Sequence, residues 1–207
     1  MSRLIIIGAS GHGRVVADIA RLNGYDEIVF LDNDSALREC GGYPVLGPDA
    51  LAGGLEGELF IAIGEAATRK RLMDREEGRR FPILIHPGAI VARDVDIGEG
   101  TVLMAGAVVN PSARLGRGVI VNTAASIDHD CDVGDFCHVS VGAHLCGMVN
   151  VGEATWIGAG AIVKNNIDIC GGCMIGAGAV VIDNIEEVGT YIGVPARKRH
   201  EDSDTCK

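Results

Sequence analysis

The chain of 207 residues carries 28 acidic against 18 basic side chains and a formal net charge of −10, a balance that excludes nucleic acid and an anionic membrane as electrostatic partners. No run stays apolar long enough to span a bilayer, and no signal peptide is read at the start, where residues 4–7 form one apolar strand and not a signal core. The seven cysteines are an odd set without a disulfide framework, and Cys40, Cys146, Cys170 and Cys206 show no paired metal spacing, so a reducing cytoplasm is the expected setting.

Residues 1–84 read as a small α/β domain. A buried-type strand over 3–8 runs into Gly8-Ala9-Ser10-Gly11-His12-Gly13, which opens a helix expected from about Gly13 to Asn23 and stopped by Gly24. Residues 28–31 and 59–63 form further strands; Asp32-Asn33-Asp34 closes the first, and Gly64 leads from the second into a charged helix over 65–77. Strand–helix alternation implies a parallel sheet. A glycine loop between a strand and a helix N-terminus offers backbone N–H groups to a phosphate, so Ser10, Gly11, His12, Gly13 and Gly64 are candidate nucleotide-sugar contacts. The spacing G-x-x-G-x-G is not the dinucleotide G-x-G-x-x-G, and a plain tight turn is the alternative. Asp32 and Asn33 stand where a ribose or base is commonly bound, with ordinary turn chemistry as the alternative.

From residue 85 to residue 186 the chain holds one six-residue register for 17 hexads. The first position is always Ile, Leu or Val, and the fifth is always small or β-branched. Such a short fixed period signals a solenoid, in which each repeat buries its apolar residues only against its neighbours. Positions five, six and one read in-out-in, as a strand does. Gly98, Gly116, Gly134 and Gly152 recur at position two every 18 residues, so three hexads make one triangular coil. The outward sixth positions fall into three columns. One is polar, from Asp96 to Glu186; the second is Val102, Ile120, His138, Trp156, Met174; the third is Val108, Ser126, His144, Ile162, Val180. Two largely apolar outer faces suit a closed ring of three copies; cover by the N-terminal domain is the lesser alternative.

Among six histidines, His129 stands out at the corner joining the third face to the polar face. Asp130 follows it and can orient the imidazole and favour its protonated form. Gly147, one coil later at the same corner, leaves space beside the ring and exposes an N–H. His138 and His144 stand on the apolar faces, and His138 is expected to reach a neighbour's His129. Three histidines also raise a zinc site of the solenoid carbonic anhydrase kind, which would leave the N-terminal domain without a role.

The motifs Gly-Ala-Ser-Gly-His-Gly at 8–13, Phe-Leu-Asp at 30–32, Ile-Ala-Ile-Gly at 61–64, Val-Asn-Thr-Ala-Ala at 121–125, Asp-His-Asp-Cys at 128–131, His-Val-Ser-Val-Gly-Ala at 138–143 and Gly-Val-Pro-Ala at 193–196 resemble one family over nearly the whole chain. It is that of the trimeric hexapeptide-repeat acyltransferases acting as sialic-acid O-acetyltransferases and UDP-4-amino-sugar N-acetyltransferases. The resemblance implies a left-handed parallel β-helix over 85–192, a C-terminal segment over 193–207, acetyl-CoA as co-substrate, no metal, and active sites between subunits of a homotrimer. It makes His129 the general base and Asp130 its positioner, though some members carry Glu there. It sets Asn122 and His138 on the acceptor side, and Gly147 with its amide toward the thioester. Acetyl-CoA would lie against Ala159, Ala177 and the segment containing Pro195 and Arg197. Three functions follow: N-acetylation of a nucleotide-linked 4-amino sugar first, O-acetylation of a sialic-acid-like sugar second, and a non-catalytic nucleotide-sugar-binding solenoid third.

Overall fold

The structure, a computed structural model, describes residues 2–199. The polar end expected to fray after His200, including Cys206, lies outside the described residues.

In chain order the N-terminal part contains β1 (Arg3–Ile7), α1 (Gly11–Leu22), β2 (Glu27–Leu31), the short hairpin β3 (Glu39–Cys40) and β4 (Tyr43–Pro44), a 3₁₀ turn over Asp49–Gly54, β5 (Glu58–Ile61) and α2 (Ala66–Arg75). Strands β2, β1 and β5 form a parallel sheet in that order. Their near-continuous apolar runs suit a sheet covered on both faces. Alternate residues of β1 serve two cores. Leu4 and Ile6 pack with α1 and with Leu84, Val102, Met104 and Ile120 of the solenoid. Ile5 and Ile7 pack with Leu72 and Met73 of α2 and with Phe136. α1 starts at Gly11, two residues before the expected Gly13, because its first turn is built on glycine and carries no helix-forming pattern. The hairpin and the 3₁₀ turn were beyond the reach of periodicity, being too short to show any.

The solenoid is a parallel ladder on three sides. Each strand is a residue pair made of positions six and one, and each pairs with the strand 18 residues on, as in Ile120↔His138↔Trp156. The three sheets have six, five and eight strands, the last extended by Thr190–Ile192 and ended by the antiparallel Arg197–Lys198. From Leu103 onward every first-position side chain is buried, and the fifth positions share that core. Position two is glycine where coils approach most closely: a Cβ on Gly134 would lie 2.7 Å from Glu153 N, and one on Gly158 2.7 Å from Ala177 N. Where the fifth position bears a hydroxyl or thiol, that group donates to a carbonyl of the next coil, as Thr101 does to Gly116 (2.9 Å) and Cys137 to Gly152 (3.1 Å). Cys170 faces Cys173 across one corner, with sulfurs 3.5 Å apart as free thiols.

The second face departs from expectation. Its column was assigned to a neighbouring subunit, yet Val102 and Ile120 are fully buried and share a core with β1 and α1 of the same chain. The N-terminal domain therefore covers the first half of that face, the alternative ranked lower. Only Trp156 and Met174 at its far end retain substantial exposure. At the start of the ladder, where no earlier coil exists, the Asn23 side chain bonds both the N–H (3.1 Å) and the C=O (2.8 Å) of Ile85.

Candidate active site

From Gly100 to Gly178 every coil corner turns through a left-handed residue at position four, a conformation that favours Gly, Asn or Asp. Asp130, with φ 57°, is one of these. The turn lets its Oδ2 meet Nδ1 of His129 at 2.7 Å, and the carboxylate raises the imidazole's pKa. The preceding Asp128 accepts from the His129 backbone N–H at 2.8 Å and from Asn110 Nδ2 at 2.8 Å, so both the ring and its backbone are held. Half of the His129 side chain is exposed. Its other nitrogen stands over Gly147: a Cβ there would lie 2.6 Å from Nε2. The Gly147 N–H donates to no group among the described residues, while its carbonyl accepts from Asn166. An imidazole with one nitrogen fixed by a carboxylate and the other free beside an unpartnered amide is equipped to take a proton next to a developing oxyanion.

A second group lies across the third face, at the corner between the second and third faces and beneath the N-terminal domain. His138 Nε2 accepts from Asn122 Nδ2 at 3.1 Å, and its ring lies against Trp156 at 4.6 Å between centroids, tilted by 34°. The Trp156 Nε1–H donates to Ser140. His138 is 8% exposed. The residue expected to reach out to a neighbour's His129 is thus enclosed by its own chain. His12, in the first turn of α1, completes the group. His138 Nδ1 and His12 Nε2 are both buried and without a partner. Burial first, and then the Arg69 guanidinium, push the pKa of His12 down to about 4 and that of His138 to about 3, so both rings are neutral at ordinary pH.

The glycine loop separates into two kinds of position. Gly8, at φ +108°, would set a Cβ 2.7 Å from Ala62 O, and Gly13 lies against Gly8 and Phe30; both are demanded by packing. Gly11 has only the end of Arg14 within 4 Å, so its missing side chain leaves open space. Ser10 is the N-cap of α1 but its hydroxyl caps nothing, and no acidic side chain stands in the first turn. These helix N–H groups are open to an anion. Asp32 and Asn33 are engaged internally, as turn chemistry would have it: Asp32 accepts from Ala9 and Asp34, and Asn33 pairs with Asp49. Ala159 and Ala177 are exposed on successive coils of one corner. The segment holding Pro195 continues that line, anchored by Ala196 N to Val180 O at 2.7 Å, while Arg197 pairs with Asp183 at the surface. Among the described residues no three His, Cys, Asp or Glu gather closely enough to hold a metal ion.

The chain is 42% identical to the acetyltransferase domain of PglB from Neisseria gonorrhoeae, solved in complex with acetyl coenzyme A, over 95% of this chain and 98% of that one, with a TM-score of 0.91. It is 34% identical to PerB from Caulobacter crescentus, solved with CoA and GDP-perosamine, over 97% and 98% of the two chains, with a TM-score of 0.90. The chain belongs to the PglB/PerB family of solenoid acetyltransferases. Residues 3–75 match the profile of the PglD N-terminal domain. A curated relative, the UDP-N-acetylbacillosamine N-acetyltransferase of Bacillus subtilis, is 36% identical over 113 residues, and the match spans about half of its length (52%). These PglB/PerB relatives bear out the resemblance read from the motifs, on its N-acetyltransferase side.

Three residues around these two histidine groups escaped the sequence reading: Arg69, Trp156 as a partner of His138, and Asp128. Asp128 alone left a trace, lying next to the singled-out histidine. Arg69 looked like one more charge on a polar helix, yet it is 1% exposed.

Proposed function

We propose that this chain transfers the acetyl group of acetyl-CoA to the amine of a nucleotide-linked 4-amino sugar of the UDP-4-amino-4,6-dideoxy type. The observation that carries the reading is the His129 corner, with Nδ1 on Asp130 and Nε2 over the free amide of Gly147. The amine attacks the thioester carbonyl directly while His129 Nε2 accepts its proton. The Gly147 N–H holds the tetrahedral oxyanion, and collapse expels the CoA thiolate, which the imidazolium reprotonates. Residues 1–84 hold the nucleotide on the open N-terminus of α1, with Ser10, Gly11, His12 and Gly13 nearest and Asp32 shaping the loop. Residues 85–192 carry the chemistry, and Ala159, Ala177, Pro195 and Arg197 flank acetyl-CoA. Two relatives bind ligands of the classes this reading needs: PerB was solved with CoA and GDP-perosamine, and PglB with acetyl coenzyme A. The six described free thiols fit a reducing, cytoplasmic setting.

The two histidine groups stand at different corners of one prism, with the third face between them. A site that uses both must take one from each of two chains, so we infer a homotrimer closed through the third face, where Ile90 and Ile162 remain exposed. Thiol release from acetyl-CoA, measured against UDP- and GDP-linked 4-amino sugars and a sialic acid, tests the reaction. Turnover with the hydroxyl acceptor alone would transfer the reading to O-acetylation. Mixing His129→Ala and His138→Ala subunits tests the shared site: activity should return on mixing, and a persistently dead mixture would refute it.

A further inference from the structure

The groove between the two domains is held by a charge that the proposed mechanism does not use. Arg69 on α2 forms no ion pair among the described residues. Its guanidinium instead donates to four carbonyls: Nε to Gly118 (2.7 Å), Nη1 to Ile63 (2.7 Å) and Gly64 (3.0 Å), and Nη2 to Phe136 (2.5 Å). Ile63 and Gly64 form the turn at the carboxyl end of β5. Gly118 and Phe136 hold position four at one corner on successive coils, and their carbonyls accept from no other backbone donor among the described residues. Position four is left-handed, and Phe136 holds it at φ 58° despite its bulk, a strained geometry that persists only where the surroundings fix it. A buried cation without a counter-charge is costly to keep, yet it is kept here near enough to His12 and His138 to act on both rings, each of which has an unpartnered buried nitrogen.

We propose that Arg69 is a positioning residue for the acceptor: it clamps the turn of residues 63–64 in the N-terminal domain onto the Gly118 and Phe136 corners of the solenoid, and so fixes the His12–His138 pair to which the acceptor binds. The fork is suited to this because its donors diverge in one plane toward four carbonyls on two domains, which a lysine ammonium cannot match. Its charge also opposes protonation of both imidazoles. Arg69 from α2 and the two rings themselves are the charged or titratable groups that bear on the pair, while Glu65 at the start of α2 and Cys137 beside Phe136 bear on Arg69. At His138, Nε2 accepts from Asn122 Nδ2, which leaves the proton of the neutral ring on the unpartnered Nδ1 as a donor for an acceptor oxygen, and neutral rings keep a second cation away from an amine that must be neutral to attack.

The assignment rests on the acceptor reading above, and its test separates the two. Arg69→Lys keeps the charge and loses the fork; Arg69→Met loses both. Each should raise acceptor KM at least tenfold while direct calorimetric binding of CoA stays within twofold. In Arg69→Met alone, the nitrogen resonances of His12 and His138 should titrate at higher pH than in the wild type, and acceptor KM should begin its acid rise correspondingly earlier. Equal loss of CoA and acceptor affinity, or unchanged acceptor KM in a folded variant, would overturn the positioning role. Should neither variant fold, the wild type decides: the Arg69 guanidinium N–H resonances should resist exchange with water at pH 7 and shift when UDP or GDP is added. Rapidly exchanging or unshifted resonances would refute the clamp. A wild type with no amino-sugar turnover would sink the function reading and leave the resonance test standing.

Discussion

Replacing Gly147 with Ala tests the catalytic corner without removing any catalytic group. The new Cβ would lie 2.6 Å from His129 Nε2 and 2.7 Å from Cε1, well inside van der Waals contact. Something must move, and the free end of a half-exposed side chain moves most easily. The imidazole swings outward and its contact with Asp130 breaks, while the amide at residue 147 stays where it was. That contact is solvent-screened and adds little to stability, and the backbone at 147 is not left-handed, so the melting temperature should stay within a few degrees of wild type. Turnover should nonetheless fall toward that of His129→Ala, a loss of roughly 10²–10⁴. The double variant makes the argument sharp. If Gly147→Ala acts through the imidazole, it costs nothing further in a His129→Ala background. Stopped thiol-release assays on the four proteins measure this. Equal losses in both backgrounds would show that the methyl group blocks the thioester instead, and wild-type turnover in Gly147→Ala would refute the placement of His129 altogether.

The buried histidines should make the fold acid-sensitive. With folded pKa values of about 4 for His12 and about 3 for His138, the unfolded chain takes up protons below about pH 6.5 that the folded chain refuses. Stability is full above pH 6.5 and should fall on acidification by up to about 1.4 kcal/mol per pH unit per ring. Urea unfolding at pH 6.5 and pH 5, above the range of ordinary carboxylates, would show it, and a slope unchanged in a His12→Gln/His138→Gln protein would count against it. Asp130→Asn removes the carboxylate that raises the His129 pKa; the rising limb of kcat/KM should therefore move to lower pH while kcat falls, and a limb that stays in place would mean another group titrates. His138→Ala should cost less turnover than His129→Ala, since it is assigned to acceptor binding; the reverse order would exchange their roles.

The solenoid was legible because its physics repeats. Each coil meets the same neighbour, so each first position must be large and branched, each fifth small or β-branched, and each close approach at position two a glycine. One residue in a repeat reports on all the others. The second face shows where this ends. Ile120 and Trp156 occupy equivalent places in the repeat, but one lies under β1 and α1 and the other does not. A period describes how coils meet each other and carries nothing about a domain packed across them. His129 was singled out by its corner, and its partners were adjacent in sequence. Arg69 was hidden because its partners are carbonyls, which every residue possesses and no side-chain pattern reveals.

The two hydrogen bonds between the Asn23 side-chain amide and the Ile85 backbone have a wider consequence. A ladder of identical coils has no internal reason to stop, since its last edge offers the same donors and acceptors as the one before. At this end a single side-chain amide imitates the peptide group of the coil that would come next, and the N-terminal domain is packed behind it. The N-terminal domain is therefore also a polymerisation plug. A solenoid separated from it at residue 84 would present an open template to its own copies, and filament growth from that end, not loss of acceptor binding, would be the first symptom of the cut.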